Sequence, residues 1–268
     1  MIEQIPLGYM GFSNLVIKNI IESDKFELKV VICPKDRIND GIISLCKEGI
    51  QLYTVSTQKE VTALIKSTNV SAFLMYKFPI IITNEICLNY KIFNIHPGDL
   101  RLNRGAHPII WSILNGDGIT KMSLYKLKEG IDLGMLIAEY KVDIADKDDS
   151  VTLENKMEDT IPLIINKLYE FLTKQDFDNE MYIENGIYLR KINESDYTIN
   201  LESDSIENIS RKIRSQKKYQ GAILNINNKK NFVSGFDYTK DTEIITFRLV
   251  NNDTLQIRRI QGKEVEIK

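Results

Sequence analysis

The feature that most constrains the fold is an alternation of short β-branched runs with segments of helical periodicity through the first hundred residues. The runs predict buried strands at residues 5–10, 28–32, 51–53, 70–75 and 92–95. Strands separated by helices of this length are typical of βαβ crossovers. The sequence therefore predicts an α/β fold with a mostly parallel sheet covered by helices on both faces.

The second half of the chain changes character. Two further strands are predicted at 121–127 and 135–142, and a long helical pattern covers 151–174 with a kink at Pro162. Residues 176–185 are polar and acidic, which is typical of a boundary, and short strands around one helix follow. The sequence thus predicts a catalytic domain over residues 1–178 and a small β-rich domain over residues 186–268.

Composition excludes several classes of protein. Among 268 residues, 35 Lys and Arg balance 37 Asp and Glu, so no global field attracts nucleic acid or an anionic membrane. No apolar run reaches the ~20 residues that a bilayer span needs, and the amino terminus lacks the pattern of a signal peptide. The widely spaced Cys33, Cys46 and Cys87 resemble reduced core residues, without disulfide or metal-ligand spacing. The expected location is the cytoplasm.

Residues that can do chemistry concentrate in one segment. Both histidines and the only tryptophan lie between Asn94 and Trp111. Asn94 and His96 are two apart on a predicted strand that Pro97 ends, so they share a face at the carboxyl edge of the sheet, where open α/β folds bind ligands. An imidazole there can transfer a proton near neutral pH, and a carboxamide can donate a hydrogen bond to developing oxyanion charge.

A second informative segment places Asp132 between Gly130 and Gly134. The glycines permit backbone conformations that approach a flat ligand closely, and a carboxylate beside His96 would orient its imidazole and favour the charged form. Each feature also has a structural interpretation. A histidine on a strand is often a core residue, and a Gly-x-Asp-x-Gly segment is often only a turn. In the same way, His107 fits a helix start and Trp111 fits a core position.

Two longer stretches together resemble the folate-dependent formyltransferases. They are "FNIHPGDLRLNRGAHPIIWSILNG" and "MSLYKLKEGIDLGMLI". The family pattern of Asn-x-His-Pro, Arg-Gly, a Trp-containing helix ending in Asn-Gly, and Asp-x-Gly falls on Asn94, His96, Pro97, Arg104, Gly105, Trp111, Asn115, Gly116, Asp132 and Gly134. This compound match is far more specific than any one of its parts.

The resemblance implies a Rossmann-like domain, with 10-formyltetrahydrofolate as co-substrate and no metal. Asn94 is then expected to hydrogen-bond the formyl oxygen, His96 to stabilise the tetrahedral oxyanion and take part in proton transfer, and Asp132 to orient His96. The folate is expected against two loops, near Phe78, Pro79, Ile80, Gly130, Ile131 and Gly134.

The acceptor is the harder question. The segments "HPGDL" and "NRGAHP" resemble the nucleotide-sugar N-formyltransferases. This resemblance implies that the acceptor is a dTDP-amino-dideoxyhexose for surface polysaccharide synthesis, with the 3-amino sugar favoured over the 4-amino sugar. The resemblance also suggests a homodimer. The expected substrate-binding residues are Lys77, Arg104, Arg214, Lys217 and Tyr219. Two alternatives stay open: a methionyl-tRNA formyltransferase, against which the acidic linker and net charge argue, and a formyltetrahydrofolate hydrolase.

Overall fold

The structure is a computed structural model that describes residues 4–46, 49–174, 181–260 and 264–267. The chain divides into two compact units. Unit 1 consists of Met1–Arg104, Lys121–Lys141 and Met157–Ile187, and unit 2 of Gly105–Thr120, Val142–Lys156 and Tyr188–Lys268. Because each unit is assembled from separate segments, the predicted domains at 1–178 and 186–268 stay a prediction.

The main sheet contains eight strands in the order β3-β2-β1-β4-β5-β7-β8-β9. Its first five strands pair in parallel, whereas β5 pairs with β7 and β8 pairs with β9 in antiparallel fashion. The predicted α/β class with a mostly parallel sheet is confirmed. The strand bounds in this half of the chain are β1 Ile5–Gly11, β2 Phe26–Pro34, β3 Gln51–Val55, β4 Ala72–Tyr76, β5 Lys91–His96, β6 Arg104–Gly105, β7 Ile119–Leu127, β8 Gly134–Asp143 and β9 Met181–Ile183.

Helices connect these strands, and side-chain caps mark several of their starts. The oxygens of Ser13, Asn39, Thr57 and Thr83 each accept a hydrogen bond from a backbone N–H in the first turn of the helix that follows. The helix bounds are α1 Asn14–Glu22, α2 Asp40–Leu45, α3 Gln58–Ser67, α4 Asn84–Asn89, α5 Pro108–Asn115, α6 Ser150–Glu158 and α7 Ile161–Thr173, with a short 3-10 turn at Lys35–Arg37.

The long predicted helix at 151–174 is two helices rather than one kinked helix. α6 ends at Glu158 and α7 begins at Ile161. Pro162 lies in the first turn of α7, where its missing N–H costs nothing, although the same residue inside a continuous helix would remove a hydrogen bond. Pro162 therefore lies at the start of a second helix, whereas the sequence predicts a kink within a single helix.

The core of unit 1 holds β5 in place. Phe73 and Met75 of β4 and Ile92 of β5 are buried in one apolar cluster, to which α3 and α4 contribute Val61, Ile65 and Ile86. Burying a large aliphatic or aromatic side chain stabilises a fold by about 1.5–3 kcal/mol. A strand anchored this way presents the residues at its carboxyl end on a rigid support.

Unit 2 contains a six-stranded sheet in the order β11-β12-β13-β14-β15-β16. Its core contains Ile209 and Ile213 from a helix, packed with Leu224, Val233 and Phe247 from the strands. The sequence analysis predicts this β-rich character. The element bounds are α8 Glu194–Tyr197, α9 Ile206–Ser215, β10 Tyr188–Leu189, β11 Thr198–Ile199, β12 Ala222–Ile226, β13 Lys229–Thr239, β14 Ile244–Leu249, β15 Thr254–Ile260 and β16 Glu264–Ile267.

The sequence pattern does not predict β13, because its residues are largely polar and only Val233 is fully buried. The cap of α9 is Ser205, whose side chain accepts from the N–H of Asn208. The neighbouring Asp204 accepts from the N–H of Asn200 and from Lys212. In the part of the chain that the structure describes, no helix has the length and apolar character of a membrane span.

Candidate active site

The site begins at the carboxyl end of β5. His96 is the last residue of that strand and is only 4% exposed, and Asn94 lies two residues before it. Pro97 and Gly98 end the strand, and the carbonyl of Gly98 accepts a hydrogen bond of 2.8 Å from the Ser123 hydroxyl of β7. The sequence therefore places both side chains at the sheet edge, as predicted.

The loop between β7 and β8 brings a carboxylate to the same place. Lys128 N–H donates to the carbonyl of Leu133 across this loop at 3.0 Å, and Asp132 adopts a left-handed conformation with φ of 50°. A Cβ on Gly134, where φ is 148°, would lie 2.0 Å from the carbonyl oxygen of Lys126. Only glycine fits there, so this residue permits the path that carries Asp132 toward His96.

The ring of His96 contacts an acceptor on each side. Its Nε2 lies 2.7 Å from the backbone carbonyl oxygen of Asn103, and its Nδ1 lies 3.5 Å from Asp132 Oδ2. Because a carbonyl oxygen can only accept, Nε2 carries a proton. Nδ1 is then the ring nitrogen that can exchange a proton, and it faces the carboxylate of Asp132.

A buried tyrosine, which the sequence interpretation missed, joins the other two groups. The Tyr125 hydroxyl donates to Asp132 Oδ1 at 2.8 Å and accepts from Asn94 Nδ2 at 2.9 Å. Burial, reinforced by the negative charge of Asp132, raises the pKa of Tyr125 well above its ordinary value. A tyrosine seven residues before the aspartate was visible in the sequence, but on a strand it resembled an ordinary core residue. We call Asn94, His96, Tyr125 and Asp132 the catalytic cluster.

The residues predicted to hold folate lie in two loops of unit 1. Phe78, Pro79 and Ile80 follow β4, and Phe78 and Ile80 pack against the apolar cluster of this unit. Gly130 and Gly134 both have positive φ, and the side chain of Ile131 between them is exposed. The two loops contain backbone and apolar surface of the kind that a flat ring requires, and their role stays a prediction.

Two predicted substrate-binding residues have partners within unit 1. Lys77 Nζ lies 2.6 Å from Glu158 Oε1, which also accepts from the Tyr76 hydroxyl. The guanidinium of Arg104 donates to the carbonyls of Ile131 at 3.3 Å and Gly186 at 2.8 Å. Arg104 therefore holds the loop that carries Asp132, and its buried Nε has no hydrogen-bond partner among the described residues.

The other predicted substrate-binding residues, Arg214, Lys217 and Tyr219, belong to unit 2. Arg214 donates to the carbonyl of Asp148, and burial together with the nearby charge of Arg211 lowers its pKa. The ring of Tyr219 is 55% exposed. These three residues lie in or directly after α9, and their contact with a nucleotide stays a prediction.

A second polar group, which we call the ionic cluster, combines Asp99 and Arg101 from the segment after β5 with Lys121 of β7 and Glu139 of β8. Arg101 pairs with Glu139 at 2.7 Å, and Lys121 pairs with Asp99 at 2.8 Å and with Glu139 at 3.1 Å. Although burial opposes the charge of Asp99, hydrogen bonds from Lys121 and from the N–H of Arg101 outweigh it and hold the pKa of Asp99 below its ordinary value. Two acids and two bases thus satisfy one another.

Unit 1 also has an open cavity of about 470 Å³. Its lining includes Cys87 of α4, Lys91 of β5, Lys126 of β7, Glu129 of the following loop and Tyr182 of β9. None of the four residues of the catalytic cluster lines it. In addition, no group of three metal-ligating side chains gathers within the described residues.

The formyl transferase family matches residues 35–166 of this chain. A methionyl-tRNA formyltransferase from Prochlorococcus marinus (strain MIT 9515) is 31% identical over 185 residues, which is 63% of this chain and 55% of that relative. The matched stretch thus spans about half the length of that relative.

Solved structures share the fold at low sequence identity. A sugar N-formyltransferase from Shewanella sp FDAARGOS_354 matches 86% of this chain and 97% of its own, with a TM-score of 0.68 and 19% identity. HypX from Aquifex aeolicus, in complex with tetrahydrofolic acid, matches 99% of this chain and 46% of its own, with a TM-score of 0.69 and 14% identity. These two comparisons indicate a common architecture.

Proposed function

This chain belongs to the formyl transferase family through residues 35–166, and we propose that it moves a formyl group from 10-formyltetrahydrofolate to an amine. The observation that carries this proposal is the meeting of a carboxamide, an imidazole and a carboxylate at one edge of the sheet. Asp132 Oδ2 lies 3.5 Å from His96 Nδ1, although 36 residues separate them in the chain. That arrangement supplies both an oxyanion donor and a proton carrier.

The proposed reaction forms a bond from the amine nitrogen to the formyl carbon and breaks the bond from that carbon to N10 of the folate. Asn94 donates an amide N–H to the formyl oxygen as negative charge develops there. The His96–Asp132 pair stabilises that charge, accepts the proton that the attacking nitrogen loses, and returns a proton to N10. Such acid–base help contributes ~10²–10⁴-fold, and an oxyanion donor ~10²–10³-fold.

The folate is placed by this proposal against the two loops of unit 1. Ile80 and Phe78 offer apolar contact, and the backbone of Gly130 and Ile131 offers hydrogen-bonding groups beside Asp132. The carbonyl of Ile131 accepts from Arg104, which keeps that loop in position. We expect folate binding to survive the loss of His96, because binding depends on the loops and transfer depends on the imidazole.

The acceptor that we propose is a dTDP-linked amino-dideoxyhexose, with the 3-amino sugar favoured over the 4-amino sugar, for surface polysaccharide synthesis. The fold shared with a sugar N-formyltransferase supports a sugar, and the net charge of −2 disfavours a nucleic acid. Lys77, Arg104, Arg214, Lys217 and Tyr219 remain the proposed substrate-binding residues. We further propose that the enzyme is cytoplasmic and forms a homodimer. Sedimentation of the purified chain would test the oligomeric state.

A second candidate acceptor is methionyl-tRNA. The observation that favours it is the 31% identity to a methionyl-tRNA formyltransferase. Binding of tRNA would weaken steeply as salt is added, because counterions are released from the phosphates. A third possibility is hydrolysis of 10-formyltetrahydrofolate, in which water instead of an amine attacks the formyl carbon and formate is released.

One assay separates these functions. Purified enzyme is mixed with 10-formyltetrahydrofolate alone, then with the dTDP-amino sugar or with methionyl-tRNA, and the appearance of tetrahydrofolate is followed. The proposal predicts turnover only with the amino sugar. Turnover only with tRNA would move the protein to the second function, and turnover that ignores both acceptors would make it a hydrolase.

A further inference from the structure

The hydroxyl of Tyr125 lies between two residues that the proposed mechanism uses directly. It is 2.9 Å from Asn94 Nδ2 and 2.8 Å from Asp132 Oδ1, whereas the opposite carboxylate oxygen of Asp132 faces His96. Asn94, Tyr125 and Asp132 come from β5, β7 and the loop before β8. One phenol oxygen therefore links these three parts of the chain.

Hydrogen-bond chemistry fixes the direction of each contact. An ionised carboxylate only accepts, so the single phenol proton goes to Asp132. The phenol oxygen must then accept from Asn94, and Asn94 must turn its NH₂ group, rather than its carbonyl, toward Tyr125. An NH₂ group has two protons, so one N–H stays available for the formyl oxygen.

The ring of Tyr125 keeps this arrangement rigid. It is fully buried, and it packs in an apolar cluster with Leu100 and Ile183. Burial also keeps the phenol protonated across the usual pH range, because its pKa is raised. The hydroxyl therefore acts as a permanent donor to Asp132 and is not itself available as a base.

We propose that Tyr125 is a positioning residue that sets the carboxamide orientation of Asn94 and the carboxylate orientation of Asp132 for formyl transfer. This inference rests on the function proposed above. Without the hydroxyl, the amide of Asn94 can rotate and present its carbonyl to the formyl oxygen, which is repulsive. Asp132 also loses the donor that holds Oδ2 toward His96 Nδ1.

The test replaces Tyr125 by phenylalanine, which removes the hydroxyl and keeps the buried ring. We expect kcat for formyl transfer to the dTDP-amino sugar to fall ~10- to 100-fold, less than the ~10²–10³-fold of losing an oxyanion donor itself, with KM for folate and acceptor changed less than ~2-fold. Tyr140→Phe is the matched control. Its hydroxyl donates to the carbonyl of Leu163, also within unit 1, and its removal should leave kcat unchanged.

A double-mutant cycle measures the coupling between Tyr125 and Asn94 in kcat, and a role in packing alone would give no such coupling. If Tyr125 acts in part through Asn94, Tyr125→Phe should lower kcat clearly less in an Asn94→Ala background than in the wild type, because coupled residues are not additive. The loss that remains is the part that acts through Asp132. Full additivity would overturn the inference, as would an unchanged kcat in the single variant. A variant that loses folate binding, or that melts well below the wild type while its kcat is unchanged, would show that the hydroxyl serves the fold rather than the orientation of the reacting groups, and would also overturn the inference. If the wild type itself turns over neither acceptor, the proposed function fails first and the inference fails with it.

Discussion

Two polar clusters are built from β5, β7, β8 and the loops next to them, and they satisfy largely buried polar groups in different ways. In the ionic cluster, Arg101 and Lys121 match Asp99 and Glu139 with contacts of 2.7–3.1 Å. In the catalytic cluster, the shortest contact between the imidazole of His96 and the carboxylate of Asp132 is 3.5 Å, and both groups are largely buried. Asp99 and His96 are only three residues apart.

Under the proposed function, this difference separates a cluster that serves stability from a cluster that serves chemistry. Buried charges that are fully paired and hydrogen-bonded leave nothing for a ligand to satisfy. The catalytic cluster instead holds an N–H of Asn94 and the Nδ1 of His96, which can exchange a proton, in fixed positions. Variants in the two clusters should therefore separate, with activity falling in one case and stability in the other.

The largest expected effect is the loss of transfer in His96→Asn. Asparagine can still donate to a carbonyl, but it cannot carry a proton near neutral pH, so kcat should fall ~10²–10⁴-fold. The measurement is tetrahydrofolate release under saturating folate and acceptor, with folate affinity measured in parallel. Residual activity within ~10-fold of wild type would remove His96 from the mechanism.

The next effect concerns the loop that delivers Asp132. Gly134→Ala places a Cβ against the carbonyl of Lys126 at a positive φ, so the loop must shift, at a cost of ~1–3 kcal/mol. We expect a lower melting temperature together with lower kcat. The matched control is Gly118→Ala, because a Cβ at Gly118 would meet no atom within 4 Å. Equal melting temperatures for the two variants would contradict the steric argument.

A smaller effect, on stability alone, is expected in the ionic cluster. Arg101→Met leaves Glu139 with only Lys121, and because Arg101 is partly exposed we expect a loss of ~1–2 kcal/mol in the free energy of unfolding. kcat should change little. The control is Arg37→Met, which breaks an exposed pair with Asp36 and should cost less than ~1 kcal/mol. Denaturant unfolding measures the free energy of unfolding of both variants. A large loss of kcat in Arg101→Met would contradict the claim that the ionic cluster serves stability alone.

The smallest effect is a pH dependence. Since the folded pKa of Asp99 is depressed, its contribution to stability is fully present above the ordinary aspartate pKa of ~3.9 and is lost as the pH falls through the lower folded value. Asp99→Asn removes that contribution. The stability difference between wild type and variant should thus be constant near neutral pH and shrink below about pH 4. A difference that grows in acid would reverse the assigned sign.

Much of the fold could be predicted from the sequence because its signals are local. Short apolar runs predict β1, β2, β4 and β5, and the Pro97–Gly98 pair predicts the end of the last of these strands. β13 escaped prediction because its pairing with β12 and β14, rather than its own apolar content, makes it a strand.

The site was predictable only in part, for a related reason. The residue types at Asn94, His96 and Asp132 predict catalytic roles by themselves, whereas a tyrosine on a strand at position 125 predicts only a core residue. Its role depends on the antiparallel register that sets it opposite Asn94, and register between β5 and β7 is a long-range property. The same holds for Asn103, whose backbone carbonyl, rather than its side chain, fixes the imidazole of His96.

The most direct test is a crystal structure of the protein with the stable analogue 5-formyltetrahydrofolate and dTDP bound. We predict the pteridine ring against the 128–134 loop, with the reacting edge of the folate within about 3.5 Å of Asn94 Nδ2 and the His96 ring. A folate bound instead in the lysine-lined cavity beside α4, with the catalytic cluster empty, would contradict the assignment of these residues to formyl transfer.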